Sequence, residues 1–140
     1  MVTTIGKGLG RGPASRAGTA TARQAEGARA EDLALQHLQA QGLRLVQRNY
    51  RVARGPARRG GEIDLILRDR DGTLVFVEVR SRCDARHGGA AASVGPAKQA
   101  SLVFAAQCFL MRCQPLPPCR FDVVAVEAGQ VQWLRAAFDA

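Results

Sequence analysis

The sequence predicts a mixed α/β domain: a central sheet with one helix before its first strand and a second helix between its third and fourth. Three observations predict this. Residues 21–41 and 96–111 carry apolar side chains at helical spacing, residues 61–67 and 73–80 alternate strand-forming residues, and Gly or Pro stands at most of the boundaries between such segments.

Residues 1–20 are rich in Gly, Arg, Ala, Ser and Thr without an apolar period, which predicts a disordered basic tail ahead of a single domain over 21–140. From about Thr21 to Gln41 the pattern is helical, with Ala30, Ala34, Leu35 and Leu38 on one side and Gly42 as the stop. Glu31 falls on that same side, where a carboxylate needs either an Arg partner or a cation. Leu43 to Arg51 reads as the first strand, and Val52 to Gly60 as a basic Gly/Pro loop bearing Arg54, Arg58 and Arg59. Two further strands follow, then a Gly/Ala-rich loop over 82–95 with Arg82, Arg86 and His87, in the place of a substrate flap. Pro96 opens the second helix, whose apolar residues are Leu102, Val103, Ala106, Phe109 and Leu110. Lys98 stands in its first turn, where a cation opposes the helix dipole, so a phosphate contact explains it better than a structural role. Gln99 beside it is placed to orient a water. The Pro-rich stretch 114–119 leads to a strand over Arg120–Glu127, a turn at Ala128-Gly129-Gln130 and a last strand over Val131–Leu134. Asp122 shares a face with Arg120 and is expected to be structural, supporting the basic side of the site.

The chemistry concentrates in Gly61-Glu62-Ile63-Asp64-Leu65-Ile66-Leu67 and Thr73-Leu74-Val75-Phe76-Val77-Glu78-Val79-Arg80. Strands bury Asp and Glu unwillingly, so a carboxylate within each of two neighbouring strands calls for a shared cause, and a divalent cation is the commonest. The alternation predicts the register. Ile63, Leu65 and Leu67 should share a face with Val75, Val77 and Val79, and a three-residue loop, Arg70-Asp71-Gly72, meets that demand with Gly72 in a left-handed bulge position. Asp69 then pairs with Thr73, Asp64 lies opposite Glu78, and Glu62 lies opposite Arg80 as an ion-pair partner. Two adjacent carboxylates repel unless a cation or proton intervenes.

The order Asp, turn, Glu-x-(Lys/Arg) resembles the signature of the PD-(D/E)xK nuclease superfamily. With Ala30-Glu31-Asp32, Arg48-Asn49-Tyr50-Arg51, Gly61-Glu62-Ile63-Asp64, Phe76-Val77-Glu78-Val79-Arg80-Ser81-Arg82, Lys98 and Arg120-Phe121-Asp122, the chain resembles the bacterial YraN-like (UPF0102) family, itself similar to archaeal Holliday-junction resolvases. The resemblance covers roughly residues 24–135. It implies a restriction-endonuclease-like core of order αβββαβ and hydrolysis of phosphodiester bonds in DNA, branched DNA included. It implies Mg²⁺ or Mn²⁺ held by Asp64, Glu78, the Val79 carbonyl and Glu31, with Arg80 on the scissile phosphate and a homodimer as the natural assembly. Arg82, Lys98, Arg54, Arg58 and Arg59 would supply further nucleic-acid contacts. One departure stands out: Arg80 occupies the usual Lys position, and Arg cannot give up its proton to activate water. A non-catalytic nucleic-acid-binding module therefore stays open as the alternative to an endonuclease, with Lys98 as the residue to replace the missing amine.

Composition agrees with a polyanionic partner. Net charge is +8 over 140 residues, an excess of basic over acidic residues that an Arg-for-Lys preference does not explain. No segment is apolar enough for a bilayer span and no signal-peptide region opens the chain, so a cytoplasmic location without membrane contact is expected. Cys83, Cys108, Cys113 and Cys119 lack metal-binding spacing and read as reduced thiols.

Overall fold

The computed structural model describes residues 14–56, 60–81 and 94–139, with 14–20 as helix backbone only. In chain order the elements are α1 (Ala14–Ala40), β1 (Arg44–Val52), β2 (Gly61–Arg68), β3 (Leu74–Ser81), α2 (Pro96–Leu110), β4 (Cys119–Glu127) and β5 (Gln130–Phe138). This is the expected αβββαβ order with one more strand, a restriction-endonuclease-like α/β core. The strands form one sheet in sequence order, antiparallel throughout except for the parallel β3–β4 pair. That pair is parallel because α2 carries the chain back across the sheet.

Each face has its own core. Ala30, Ala34 and Leu38 of α1 pack on Leu65, Leu67, Val75, Val77, Val124 and Val126. Leu102, Ala105, Ala106 and Phe109 of α2 pack on Ile66, Leu74, Phe76, Phe121 and Val123. Strands covered on both faces become apolar on both, as the nearly fully buried runs of β2 to β4 show.

The β2–β3 register is the expected one, pairing Leu65 with Val77 and Arg68 with Leu74. The turn is also as expected: Asp69 N–H donates to the Thr73 carbonyl at 2.8 Å, and Gly72 has φ +93°. One residue departs. Ile63 packs with the α2-side core, whereas Leu65 and Leu67 pack on the α1 side. On β1, Arg48 reaches Glu31 and Asp32 of α1, yet Tyr50 stacks edge-on against Phe109 of α2. Both strands thus change faces across the Asn49–Asp64 position. Asn49 has φ +53°, a left-handed conformation that Asn tolerates better than most residues and that breaks the alternation of side chains.

Other expectations are corrected. Helix α1 begins at Ala14, so part of the segment read as tail is helical; Ala and Arg favour helix with or without an apolar period. β5 runs on to Phe138, whose ring stacks on Phe121 at 4.9 Å, past the weak strand formers Ala136 and Ala137. Glu62 ion-pairs with Arg51 on β1 at 3.1 Å rather than with Arg80, because the β2–β3 ladder ends before reaching it. Asp122, 1% exposed, is structural but does not serve the site. It accepts from Arg120 Nε at 3.0 Å, Trp133 Nε1 at 2.9 Å and Ala136 N–H at 2.9 Å, and so stitches the irregular end of β5 to β4. Arg58, Arg59, Arg82, Cys83, Arg86 and His87 lie outside the described residues, as do the proposed flap over 82–93 and residues 1–13.

Candidate functional site

The β2–β3 ladder ends at Leu65–Val77, one step before Asp64 and Glu78. There the Val79 N–H donates to Asp64 Oδ2 at 2.8 Å, so a side chain takes the place of a backbone acceptor. A strand residue points its N–H and C=O toward the same edge. The Val79 carbonyl therefore belongs to the same gap as Asp64. The face switch at Asn49 explains why the gap opens here: Asp64 sits at the crossover, committed to neither apolar face.

Glu78 is 5% exposed. Its Oε2 meets Arg80 Nη1 at 3.4 Å and Lys98 Nζ at 3.6 Å. Its Oε1 is buried without a hydrogen-bond partner among the described residues. Burial, and then the neighbouring Glu78 charge, push Asp64 up to about 7; the Val79 N–H and Lys98 oppose the rise. Lys98 reaches Glu78 from the first turn of α2, at the start of which Gln99 Nε2 donates to the Val94 carbonyl at 2.9 Å. Gln99 thus secures the helix entry rather than orienting a water.

Glu31 comes from α1 on the other side. Arg48 Nη2 donates to it at 3.4 Å and to Asp32 at 2.8 Å. Burial raises the Glu31 pKa first and the Asp64 charge second, against Arg48 and a hydrogen bond from Asn49. Glu31 is thus both the ion-paired boundary residue and a third carboxylate whose charge Asp64 feels. The site is built from α1, β2, β3 and α2, around the point where the sheet opens.

Among the described residues no three His, Cys, Asp or Glu side chains close into a ready-made metal cage. The donor set nevertheless fits a hard divalent cation. A buried carboxylate oxygen without a partner, beside a second carboxylate that resists ionisation, is an arrangement a cation would relieve. Mg²⁺ needs only one or two such ligands and keeps several waters.

Asp64, Glu78, Val79, Arg80, Lys98 and Glu31 lie around this opening. Arg54 lies farther out, with its guanidinium 4.1 Å from the centre of the Phe104 ring. Reasoning from sequence overlooked Arg48, Asn49, Arg51 and Ser101. The run Arg48-Asn49-Tyr50-Arg51 was visible, but only the left-handed φ of Asn49 reveals what it does.

A profile of the family described as "Uncharacterised protein family UPF0102" matches residues 30–126, which include every site residue named above. A UPF0102 protein of Paracidovorax citrulli is 62% identical over 129 residues, covering 92% of this chain and 93% of its own length. One from Methylibium petroleiphilum is 66% identical over 110 residues, 79% of this chain and 90% of its own. Another, from Herminiimonas arsenicoxydans, is 53% identical over 120 residues, 86% and 91% of the two chains.

Proposed function

The chain belongs to the UPF0102 family, and from the geometry of its cleft we propose that it is a divalent-metal-dependent endonuclease of the PD-(D/E)xK type, acting on DNA in the manner of the Holliday-junction resolvases. One observation carries this reading: the β2–β3 ladder stops one step short of Asp64 and Glu78, and a buried Glu78 oxygen there has no hydrogen-bond partner among the described residues.

Asp64 and Glu78 would hold the cation, with the Val79 carbonyl as a further oxygen and Glu31 acting through water. When bound there it would supply charge to neutralise phosphoryl oxygens and to activate water. The Val79 N–H fixes the Asp64 carboxylate in place before any ligand arrives. Arg80 and Lys98 both stand on the Glu78 side and supply positive charge for the phosphate. Arg80 can bind the phosphate bidentately but cannot shuttle a proton. Lys98 places an amine next to Glu78 from another element, which supports an active site over a merely binding one despite Arg80.

The test is cleavage of labelled duplex, single-stranded, flap and four-way DNA with Mg²⁺, Mn²⁺ or EDTA. Wild type cuts in either metal and not in EDTA, Asp64→Asn does not cut, and Lys98→Ala loses most of the rate. Binding without cleavage by wild type on every substrate would leave the fold as a binding module, the reading that Arg80 favours.

A further inference from the structure

Beside the cleft, between the β2 start and the first turns of α2, runs an open trough. Its nearer hollow, about 560 Å³, is lined by Arg51, Gly60, Glu62, Lys98 and Ser101 among others. A second, about 400 Å³, shares Gly60, Lys98 and Ser101 and ends at Arg54. Lys98 links trough to site, since the same ammonium group lies 3.6 Å from Glu78. The lining cations are Arg51, Lys98 and Arg54, and the lining carboxylate, Glu62, is already held by Arg51 at 3.1 Å. A guanidinium has donors to spare after one such bond. Among the described residues the lining of the trough is thus predominantly cationic from Arg51 to Arg54.

At the far end the aromatic content matters. Of the seven aromatic residues, Tyr50, Phe76, Phe109, Phe121 and Phe138 pack in or on the α2-side core and Trp133 on the other. Phe104 belongs to neither core. It lies on the stripe of α2 that includes Ala97 and Ser101, three and four residues apart, and the Arg54 guanidinium lies over its ring at 4.1 Å. A partly buried aromatic ring covered by an exposed planar cation gives a flat face on which a nucleobase can stack. Bases inside a duplex have both faces covered, so such a face serves an unpaired base only.

We infer that the trough takes an unpaired nucleic-acid strand leaving the scissile position, its phosphates on Lys98 and Arg51 and a base against the Arg54–Phe104 pair. The substrate class is therefore DNA with a single-strand branch or tail next to the cut, an inference that rests on the nuclease reading above. The experiment is equilibrium binding in EDTA, by fluorescence anisotropy, of a blunt duplex, the same duplex with a single-strand tail, and that duplex with an abasic tail. Wild type is compared with Phe104→Leu and with the surface variant Arg54→Gln, after thermal melts confirm folding. The tailed duplex is expected to bind at least about fivefold tighter than the blunt one, with the abasic tail losing most of that gain. Phe104→Leu should erase the gain and leave blunt-duplex affinity within about twofold, and Arg54→Gln should weaken the tailed duplex severalfold more than the blunt one. Equal affinity for blunt and tailed DNA, an abasic tail that keeps the full gain, or variants that weaken both DNAs alike would overturn the inference and leave the nuclease reading standing. Failure to bind any of the three at low salt would overturn both.

Discussion

Asp64 holds a proton at pH values where an ordinary aspartate has lost it, because folding buries it beside Glu78. Its folded-state value is about 7 against an ordinary 3.8, so the native chain binds more protons than the unfolded one between those limits. Stability without metal should therefore fall as pH rises from about 4 to about 7 and level off above, by on the order of 2–4 kcal/mol for this group. Asp64→Asn should flatten that slope and raise the melting temperature at pH 8 in EDTA, since the amide still accepts the Val79 N–H. Millimolar Mg²⁺ should stabilise wild type at pH 8 and leave Asp64→Asn unmoved; thermal melts across pH, with and without metal, check all three outcomes. Asn49 gives a second prediction. Its φ of +53° is strained for Ala and easy for Gly, so Asn49→Ala should be less stable than Asn49→Gly by about 1 kcal/mol in chemical denaturation. Both should impair cleavage, because each loses the amide that bonds Glu31. At this scale the sequence was most readable where alternation ruled. The β2–β3 register, Leu65 with Val77 and Leu67 with Val75, follows from the faces of these residues. The partner of Glu62 did not follow, because it depends on a ladder ending that no local pattern marks.

Between elements, the approach of α2 to β2 decides where Lys98 sits. Gly61 opens β2 against that helix so closely that a Cβ would meet the Ser101 carbonyl oxygen at 2.5 Å and the Ala105 Cβ at 2.9 Å. Ser101 Oγ donates to the Gly60 carbonyl at 3.2 Å across the same contact. Gly61→Ala must push the helix away and carry Lys98 from Glu78. It should cost about 1–3 kcal/mol in denaturant melts and lower cleavage more than its stability loss explains. Element types and order were readable throughout, since helical spacing, strand alternation and glycine turns agreed with one another. Element ends were not, wherever pairing overrode propensity. β5 continues through Arg135-Ala136-Ala137 because Asp122 accepts the Ala136 N–H and Phe138 stacks on Phe121, contacts made only once β4 lies beside it.

Over the whole molecule the charge of +8 governs encounter more than architecture. Binding to a duplex with a single-strand tail should weaken with salt, with a slope of log affinity on log salt of about −3 to −4 if the cations of cleft and trough each meet a phosphate. Titrations at several ionic strengths measure it, and a slope near zero would show that the charge does not serve binding. No helix among the described residues is long and apolar enough to cross a membrane. The composition pointed toward a polyanionic partner but not to the trough, because Phe104 looks like any core aromatic until the helix that bears it is seen to leave it outside both described cores.

The irregularities of the two outermost strands have one more consequence. β1 slips register between Leu45 and Gln47 and β5 between the partners of Phe121 and Val123, with Ala136 at φ +50°. An exposed strand with regular backbone spacing is a template on which another chain can crystallise, and bulges spoil that template. Neither border of this sheet offers an unbroken row of free amides and carbonyls, so growth of a continuous intermolecular sheet is discouraged at both ends. The two bulged borders turn any self-association toward helices or loops, and they predict little tendency of the chain to polymerise at high concentration.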